Sequence, residues 1–276
     1  MKLALAIQTP EVPRTVPVAL LSGTLEEKLA RAAAFGADGV ELMPADPARL
    51  DGAAIRAALR QNQLEAAAIG SGAVAFATGL TLLHPDPTQA AQAESRLRDL
   101  ITFAAVVGAP LVTIGSFRGR LTPVGEDGRE RLRAVLREAA AYAQERGIRL
   151  ALEPLNRYEM DFLNRADEVL HFIQEVNHPA LGLLLDTYHF NIEESSWTEP
   201  FRRGMAAGKL WHIHLGDNNR LPPGQGLINF RAILATLREI GYCGYLSAEL
   251  LARPDPDTAG RQTLAYMRAL LQEGQG

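Results

Sequence analysis

The chain has 276 residues, of which 47% are hydrophobic and 22% are charged, enough to bury the core of one large domain. A net charge of −4 and a pI near 5.9, with basic and acidic residues mixed, argue against a nucleic-acid partner. The single cysteine, Cys243, excludes an internal disulfide and a cysteine zinc site, and we predict that it is a packing thiol. The sequence has no leader pattern and no run of 18 apolar residues, so we expect a cytoplasmic protein with no membrane partner.

The first half of the chain alternates predicted strands with predicted helices. Strands are predicted at 3–7, 38–43, 64–72 and 110–117, and helices at 24–36, 49–61, 87–107 and 126–147. Residues 71–86 are predicted to form a long connection. Glu41, in the second strand, either reaches the mouth of the fold or is a polar residue at its rim. Arg118 and Arg120 follow the fourth strand and are either solvated loop charges or an anion clamp over the mouth.

Four apolar runs in the second half each end on a residue that can bind a metal. IRLALE ends on Glu153, LGLLLD on Asp186, LWHIH on His214 and YLSAE on Glu249. The successive intervals of 33, 28 and 35 residues match a strand, loop, helix and loop repeat of about 30 residues. A lone carboxylate in such a place is more typical of a helix cap or a loop ion pair, but four in register favour one shared ion. Three oxygen ligands and one imidazole suit Mn²⁺ or Mg²⁺.

These elements, with further helices at 165–176, 229–240 and 258–272, predict a single (β/α)8 TIM barrel over residues 1–276 with eight strands and eight helices. Three other residues are expected near its mouth. His189 lies three residues after Asp186 and either bends over a ligand or serves as a capping or packing residue. His212 points to the same face as His214, one layer deeper, and is predicted to be hydrogen-bonded rather than a ligand. Arg220 lies on a loop rich in turn formers.

Several strings in this sequence resemble one known family. ALEPLNRYE, LLLDTYHFNIEE, WHIHLGDNNRLPPGQG and the late SAEL resemble the xylose isomerase-like TIM-barrel superfamily, in particular ketose 3-epimerases of the D-tagatose and D-psicose type. The 5-keto-L-gluconate epimerase branch of this family is resembled more closely still by three further strings, MKLALAIQTP, GLTLLHPDP and IGSFRGR. The resemblance spans nearly the whole chain.

The resemblance implies roles for individual residues. Glu153, Asp186, His214 and Glu249 would hold one divalent metal ion, Mn²⁺ first, with Mg²⁺ or Co²⁺ as alternatives. Glu153 and Glu249 would also be the acid and base. The residues that would contact substrate are His189 and Arg220, beside the metal, and Glu159, near a terminal hydroxyl. Arg118 or Arg120, which depart from the tagatose-epimerase pattern, would recognise the carboxylate of a keto-sugar acid. A homodimer or homotetramer is also implied.

The expected reaction is inversion at C3 of a keto-sugar or keto-sugar acid through a metal-stabilised cis-enediolate, with two carboxylates as acid and base. Three alternatives remain open at this stage. An aldose–ketose isomerase similar to hydroxypyruvate isomerase would use the same metal and return the proton to C1. An apurinic-site endonuclease similar to endonuclease IV would need more histidine ligands and a basic groove. A non-catalytic sugar-binding barrel would not need carboxylates on both faces of its ligand.

Overall fold

The computed structural model describes residues 1–125 and 127–273, and eight parallel strands among them close into a barrel. Each strand pairs with the next along the chain, and the last strand pairs with the first. The strands are β1 (Lys2–Gln8), β2 (Gly39–Met43), β3 (Glu65–Gly70), β4 (Leu111–Ile114), β5 (Arg149–Leu152), β6 (Leu181–Asp186), β7 (Leu210–Leu215) and β8 (Tyr245–Ala248). The predicted TIM barrel is confirmed.

Helices surround the barrel, and the described residues contain more of them than the eight expected. The ten α-helices are α1 (Leu25–Ala34), α2 (Gly52–Gln61), α3 (Gly72–Thr78), α4 (Pro87–Val107), α5 (Gly128–Gln144), α6 (Ala166–Val176), α7 (Thr187–Glu193), α8 (Glu199–Ala206), α9 (Phe230–Glu239) and α10 (Pro256–Glu273). The helix expected at 126–147 corresponds to α5, although Glu126 itself lies outside the described residues.

Two short helices correct the predicted connections. The segment 71–86 contains α3, which Gly79 ends in a left-handed conformation with φ 76°. Helix α7 starts directly after β6, because the carboxylate of Asp186 accepts a hydrogen bond from the backbone N–H of Tyr188 at 2.8 Å. Both helices are only seven residues long and therefore show little periodicity in the sequence. Their positions directly after a strand place them at the mouth of the barrel.

Small side chains inside the barrel leave room for large polar ones. In β1, Leu3 and Leu5 join the large apolar cluster between barrel and helices, whereas the alternate residue Ala4 packs in a small separate cluster. Inside the barrel, Ala68 and Ala151 likewise pack with only a few neighbours. Alternation along a strand sends successive side chains to opposite faces, so this arrangement is the expected one. The space so left is occupied by charged residues described below.

Two expectations about the surface of the molecule can be compared with the structure. Cys243 is exposed in the connection before β8, so the prediction of a packing thiol is wrong. In the part of the chain that the structure describes, none of the helices has both the length and the apolar composition required to cross a bilayer.

Candidate metal centre and active site

The mouth of the barrel brings together the four residues that the strand ends suggested. Glu153 and Glu249 directly follow β5 and β8, Asp186 ends β6, and His214 lies in β7 as the register partner of Asp186. Each of the four offers a ligand atom, and all four atoms lie within 4.8 Å of one another. The Nδ1 atom of His214 is 3.4 Å from Oε1 of Glu153 and 3.7 Å from Oε2 of Glu249. The four side chains can therefore surround one ion.

Unpartnered polar atoms mark the centre of this cluster. Oε1 of Glu153, Oδ2 of Asp186 and Nδ1 of His214 are buried and have no hydrogen-bond partner among the described residues. A buried polar atom without a partner costs about 1–3 kcal/mol, and more when it is charged. Three such atoms converging on one point are explained if a cation completes the site. Oxygen and imidazole donors are the ligands that a divalent ion such as Mn²⁺ accepts.

Burial and mutual repulsion shift the ionisation of the cluster. Burial, followed by the nearby charge of Glu153, raises the pKa of Asp186 to about 8. Burial also raises the pKa of Glu153. Burial alone would lower the pKa of His214, but the carboxylates of Glu41 and Glu249 outweigh it and raise that pKa well above its ordinary value. Three carboxylates in one buried place need positive charge, which a proton or a divalent ion can supply.

A second cluster, formed by Glu41, His212 and His214, lies deeper in the barrel. Nε2 of His212 is 2.9 Å and Nε2 of His214 is 3.0 Å from Oε2 of Glu41. Both carboxylate oxygens of Glu41 have partners among the described residues, because Thr113 also donates to Oε1 at 3.3 Å. The carboxylate of Glu41 and the Nε2 atoms of both histidines thus satisfy one another without an ion. The first cluster, in contrast, contains carboxylate oxygens without a partner.

Arg220 provides positive charge at the edge of the metal centre. Its guanidinium donates from Nη1 to Glu159 at 3.1 Å and from Nη2 to Glu249 at 3.2 Å. The backbone of Arg220 has a positive φ of 59°, a conformation that non-glycine residues adopt only when the surrounding structure enforces it. Asp217 enforces it here: its carbonyl oxygen accepts from the Arg220 N–H at 2.8 Å, and its buried carboxylate accepts four further backbone N–H groups of the same loop.

His189 faces the same cavity in a defined tautomer. Nδ2 of Asn156 lies 2.8 Å from Nδ1 of His189, so Nδ1 accepts and Nε2 carries the hydrogen. Burial, and then the charge of Arg220, hold the pKa of His189 well below its ordinary value, so the ring is neutral. Nε2 has no hydrogen-bond partner among the described residues and lies 3.7 Å from Oδ2 of Asp186. His189 can therefore donate to a ligand bound beside the metal centre.

A cavity of about 230 Å³ opens above these side chains. This is below the range of about 300–1,000 Å³ that is usual for drug-sized ligands, so the cavity suits a small molecule. Its polar wall comes from β5 to β8 and the segments that follow them, and its apolar wall mostly from segments after β1 to β4. The charged and imidazole residues of the polar wall are Glu153, Glu159, His189, His214, Arg220 and Glu249, and Thr113 and Ser116 add hydroxyls on the other wall. The apolar residues of the lining are Val16, Pro17, Val18, Met43, Phe76, Leu155 and Leu251.

A family model described as "Xylose isomerase-like TIM barrel" matches residues 29–270, which is most of the chain. The chain belongs to the xylose isomerase-like TIM-barrel family. An L-ribulose 3-epimerase from Methylomonas sp. (strain DH-1) is 32% identical over 250 residues, covering 88% of this chain and 84% of that protein. A ketose 3-epimerase from Arthrobacter globiformis is 31% identical over 212 residues, covering 76% and 71%.

Solved structures of the xylose isomerase-like family agree with the barrel described here. The crystal structure of a D-allulose 3-epimerase from Methylomonas sp. superposes with a TM-score of 0.79 at 25% identity, covering 98% of each chain. The resemblance to this family and to its ketose 3-epimerases, inferred from sequence strings, is thereby confirmed. The relatives are named as epimerases, which are isomerases that act on carbohydrates, as we expected for this chain.

Arg118 was expected to bind a substrate carboxylate, but it does not reach the cavity. Arg118 is fully buried, and its two terminal nitrogens donate to four backbone carbonyls, those of Gly115, Glu153, Phe162 and Leu163, at 2.9 to 3.2 Å. The expected carboxylate clamp is therefore wrong for Arg118, because both terminal nitrogens donate within the fold and the residue does not line the cavity.

Arg120, the other residue suggested for the clamp, is exposed and does not line the cavity. Sequence patterns cannot distinguish an arginine that is buried in the fold from one that is exposed or one that lines a ligand cavity, since a cation after a strand looks the same in each case.

Two residues that contact the site were missed or left open by the sequence. Asn156 orients His189 and also donates to Glu159 at 3.2 Å, and the only signal was its place three residues after Glu153 in the string ALEPLNRYE. Glu41 was left open as a mouth or rim residue, but it lies inside the barrel with 1% of its surface exposed. Its partners, His212 and His214, lie more than 170 positions away in the sequence, and no local pattern reports such a contact.

Proposed function

We propose that this protein is a metal-dependent epimerase that inverts C3 of a keto-sugar. The observation that carries the proposal is the pair Glu153 and Glu249, which follow separate strands, line the cavity, and lie 3.4 Å and 3.7 Å from the unpartnered Nδ1 of His214. Inversion requires a base on one face of a planar intermediate and an acid on the other. Two carboxylates that border one small cavity meet that requirement, and the named relatives support it.

The ion would be held by Glu153, Asp186, His214 and Glu249, whose unpartnered atoms converge. Mn²⁺ suits this mixture of three carboxylates and one imidazole best, and Mg²⁺ or Co²⁺ are the alternatives. When bound, a divalent ion would polarise the ketone and stabilise the negative charge that develops on the enediolate. This would lower the free energy of the transition state on the order of several kcal/mol.

The protein's carboxylates move the proton. One of the pair, Glu153 or Glu249, takes the proton from C3, and the electrons of the C3–H bond pass into the enediolate. The other delivers a proton to the opposite face of C3, so that the bond re-forms with inverted configuration and no co-reactant is consumed. Which residue acts first depends on the substrate epimer. Burial raises the pKa of Glu153, which brings it closer to neutral pH and makes it a stronger base.

The neighbouring side chains orient the substrate. The Nε2–H of the neutral His189 and the guanidinium of Arg220 donate toward the oxygen atoms beside C3, where negative charge develops. Glu159 is bound to Arg220 and Asn156 and retains acceptor capacity for a hydroxyl farther along the sugar.

The charge of the cavity favours a neutral keto-sugar over a keto-sugar acid. Among the described residues that line it, Arg220 is the one arginine or lysine, and two carboxylates already bind it. At the other described positions a substrate carboxylate would meet apolar side chains, the hydroxyls of Thr113 and Ser116, imidazoles or negative charge, and no second arginine or lysine. We therefore withdraw the keto-sugar acid that Arg118 and Arg120 suggested, and we retain the neutral ketose.

The experiment is an NMR assay in D2O with Mn²⁺-loaded protein and a panel of ketopentoses, ketohexoses and keto-hexonates. We expect a C3 epimer carrying deuterium at C3. Deuterium at C1 alone, in an aldose–ketose product, would identify the isomerase alternative instead. No turnover of any member of the panel, with metal binding demonstrated, would favour the sugar-binding barrel.

A further inference from the structure

Glu41 occupies an unusual position for a carboxylate. It lies in the middle of β2, inside the barrel, and its Oε2 atom lies 2.9 Å and 3.0 Å from Nε2 of His212 and His214, on β7. The side chain is 1% exposed, so both of its oxygens depend on partners inside the barrel. Glu41 is therefore a buried hydrogen-bond acceptor located directly beneath the metal centre.

This contact decides which atom of His214 can face the ion. An imidazole that binds an ion must be neutral, with one N–H and one lone pair. Since Glu41 accepts at Nε2, the hydrogen belongs there and the lone pair belongs to Nδ1, the atom that is 3.4 Å from Glu153 and has no partner among the described residues. A ring flipped by 180° would put carbon atoms toward both Glu41 and Glu153. The hydrogen bond thus fixes both tautomer and ring plane.

The barrel interior is built to accept this carboxylate. A Cβ atom on Gly70, in the neighbouring strand β3, would lie 3.1 Å from Oε1 of Glu41, so glycine there leaves the necessary room. Thr113, on β4, donates to that same oxygen at 3.3 Å. Three strands therefore contribute atoms that hold Glu41 in one orientation.

We propose that Glu41 is a positioning residue: it orients His214 so that Nδ1 is a metal ligand, and it does not itself contact metal or substrate. This inference rests on the metal site of the proposed function. Groups that orient a metal-binding histidine in this way usually change metal affinity by about 10–100-fold when they are replaced. His212, which also donates to Glu41, helps to hold the carboxylate but makes no contribution to the ligand set.

The test measures metal affinity rather than turnover. Chelator-treated protein is titrated with Mn²⁺ by calorimetry, with the free ion followed by electron paramagnetic resonance, in the wild type and in Glu41→Gln, Glu41→Asp and His212→Asn. We expect Glu41→Gln to weaken Mn²⁺ binding about 10–100-fold. Glu41→Asp keeps the carboxylate, although on a shorter side chain, and should recover part of that loss. His212→Asn leaves the Glu41–His214 contact in place and should change the affinity by less than about threefold, well below the loss usual for an orienting group.

Visible absorption of Co²⁺-loaded protein gives an independent readout, because a reoriented ligand changes the bands of the ion and a purely structural role of Glu41 would not. An unchanged Mn²⁺ dissociation constant in Glu41→Gln would overturn the inference, whatever happens to the melting temperature. A His212→Asn loss as large as that of Glu41→Gln would also overturn it. If Glu41→Gln cannot be folded, Glu41→Asp and the Co²⁺ spectrum decide.

The two proposals fail separately. A wild type that binds Mn²⁺ and loses affinity on Glu41→Gln, but epimerises no ketose, ends the proposed function and leaves the role of Glu41 intact. A wild type that epimerises ketoses while Glu41→Gln binds Mn²⁺ normally ends only the inference. A wild type that binds no divalent ion overturns the inference directly.

Discussion

The two halves of the barrel mouth differ in what they need in order to be stable. The half after β5 to β8 carries four carboxylates, two histidines and Arg220, and several of its buried atoms lack partners among the described residues. The half after β1 to β4 is mostly apolar and packs without help. We infer from this difference that binding of the ion and the chemistry belong to one half, while the other half mainly excludes water and shapes the ligand. The predictions below challenge that division, from the largest expected effect to the smallest.

Removing either proton-transfer carboxylate should have the largest effect. We expect Glu249→Gln to lower kcat for ketose epimerisation by about 10²–10⁴-fold, because an amide cannot transfer the proton. The matched control is Glu138→Gln on the outer helix α5, where the side chain is 71% exposed, and its kcat should be unchanged. Equal activity of Glu249→Gln and wild type would remove the two-carboxylate mechanism.

Replacing the buried guanidinium behind the site should mainly reduce stability. Arg118→Met leaves four backbone carbonyls without their donors, and we expect the free energy of unfolding in urea to fall by about 3 kcal/mol or more. Arg120→Met, at an exposed position, should change it by less than about 0.5 kcal/mol. If Arg118→Met had normal stability but had lost selectivity between ketohexose and keto-hexonate, that result would support the hypothesis that Arg118 binds a substrate carboxylate.

Metal removal should destabilise the charged half. At a free Mn²⁺ concentration about 100 times its dissociation constant, the free energy of unfolding should rise by about 2.7 kcal/mol over that of the chelated protein. Asp186→Asn removes one of the converging oxygens and should lose most of this increment. Urea denaturation with and without the ion measures both values. Identical increments in the two proteins would show that the ion binds elsewhere.

Mn²⁺ affinity should increase with pH. The pKa of Asp186 is raised to about 8 and that of Glu153 is raised as well, so protons occupy these oxygens at low pH and compete with the ion. Between pH 6 and 8 we expect affinity to rise up to about tenfold per pH unit for each proton released. Calorimetry in buffers of different ionisation enthalpy counts those protons. A flat profile would contradict the raised pKa values.

The smallest effect is expected on the apolar side. Phe76, on α3, is 44% exposed and lines the cavity, and Phe76→Ala should raise KM about fivefold, roughly 1 kcal/mol of lost contact, with kcat nearly unchanged. Val106→Ala, on α4 outside the cavity and 42% exposed, is the control. A large fall in kcat for Phe76→Ala would mean that the apolar half takes part in the chemistry.

The sequence predicted the barrel well because its signals are local. Buried parallel strands read as apolar runs, and the residue that ends each run lies at the mouth, so Glu153 and Asp186 could be anticipated from their position alone. Helices α3 and α7 were not predicted because seven residues span fewer than two full helical turns.

Contacts between distant positions could not be predicted. Arg118 donates to carbonyls 35 to 45 residues away, and Glu41 binds histidines across the barrel. The sequence shows the charge of each residue but not the partner that neutralises or satisfies it, and the partner decides whether a charged side chain serves the ligand or the fold.

The loop that carries Arg220 suggests where this enzyme could be re-engineered. The carboxylate of Asp217 gathers the backbone N–H groups of Asn218, Gly224, Gly226 and Ile228. The side chains of Asn218 and Asn219 add further hydrogen bonds to the backbone of the same loop. Variation at 221 and 225, in a library that leaves Asp217, both asparagines and the glycines untouched, would alter the approach to the cavity while the loop keeps its path.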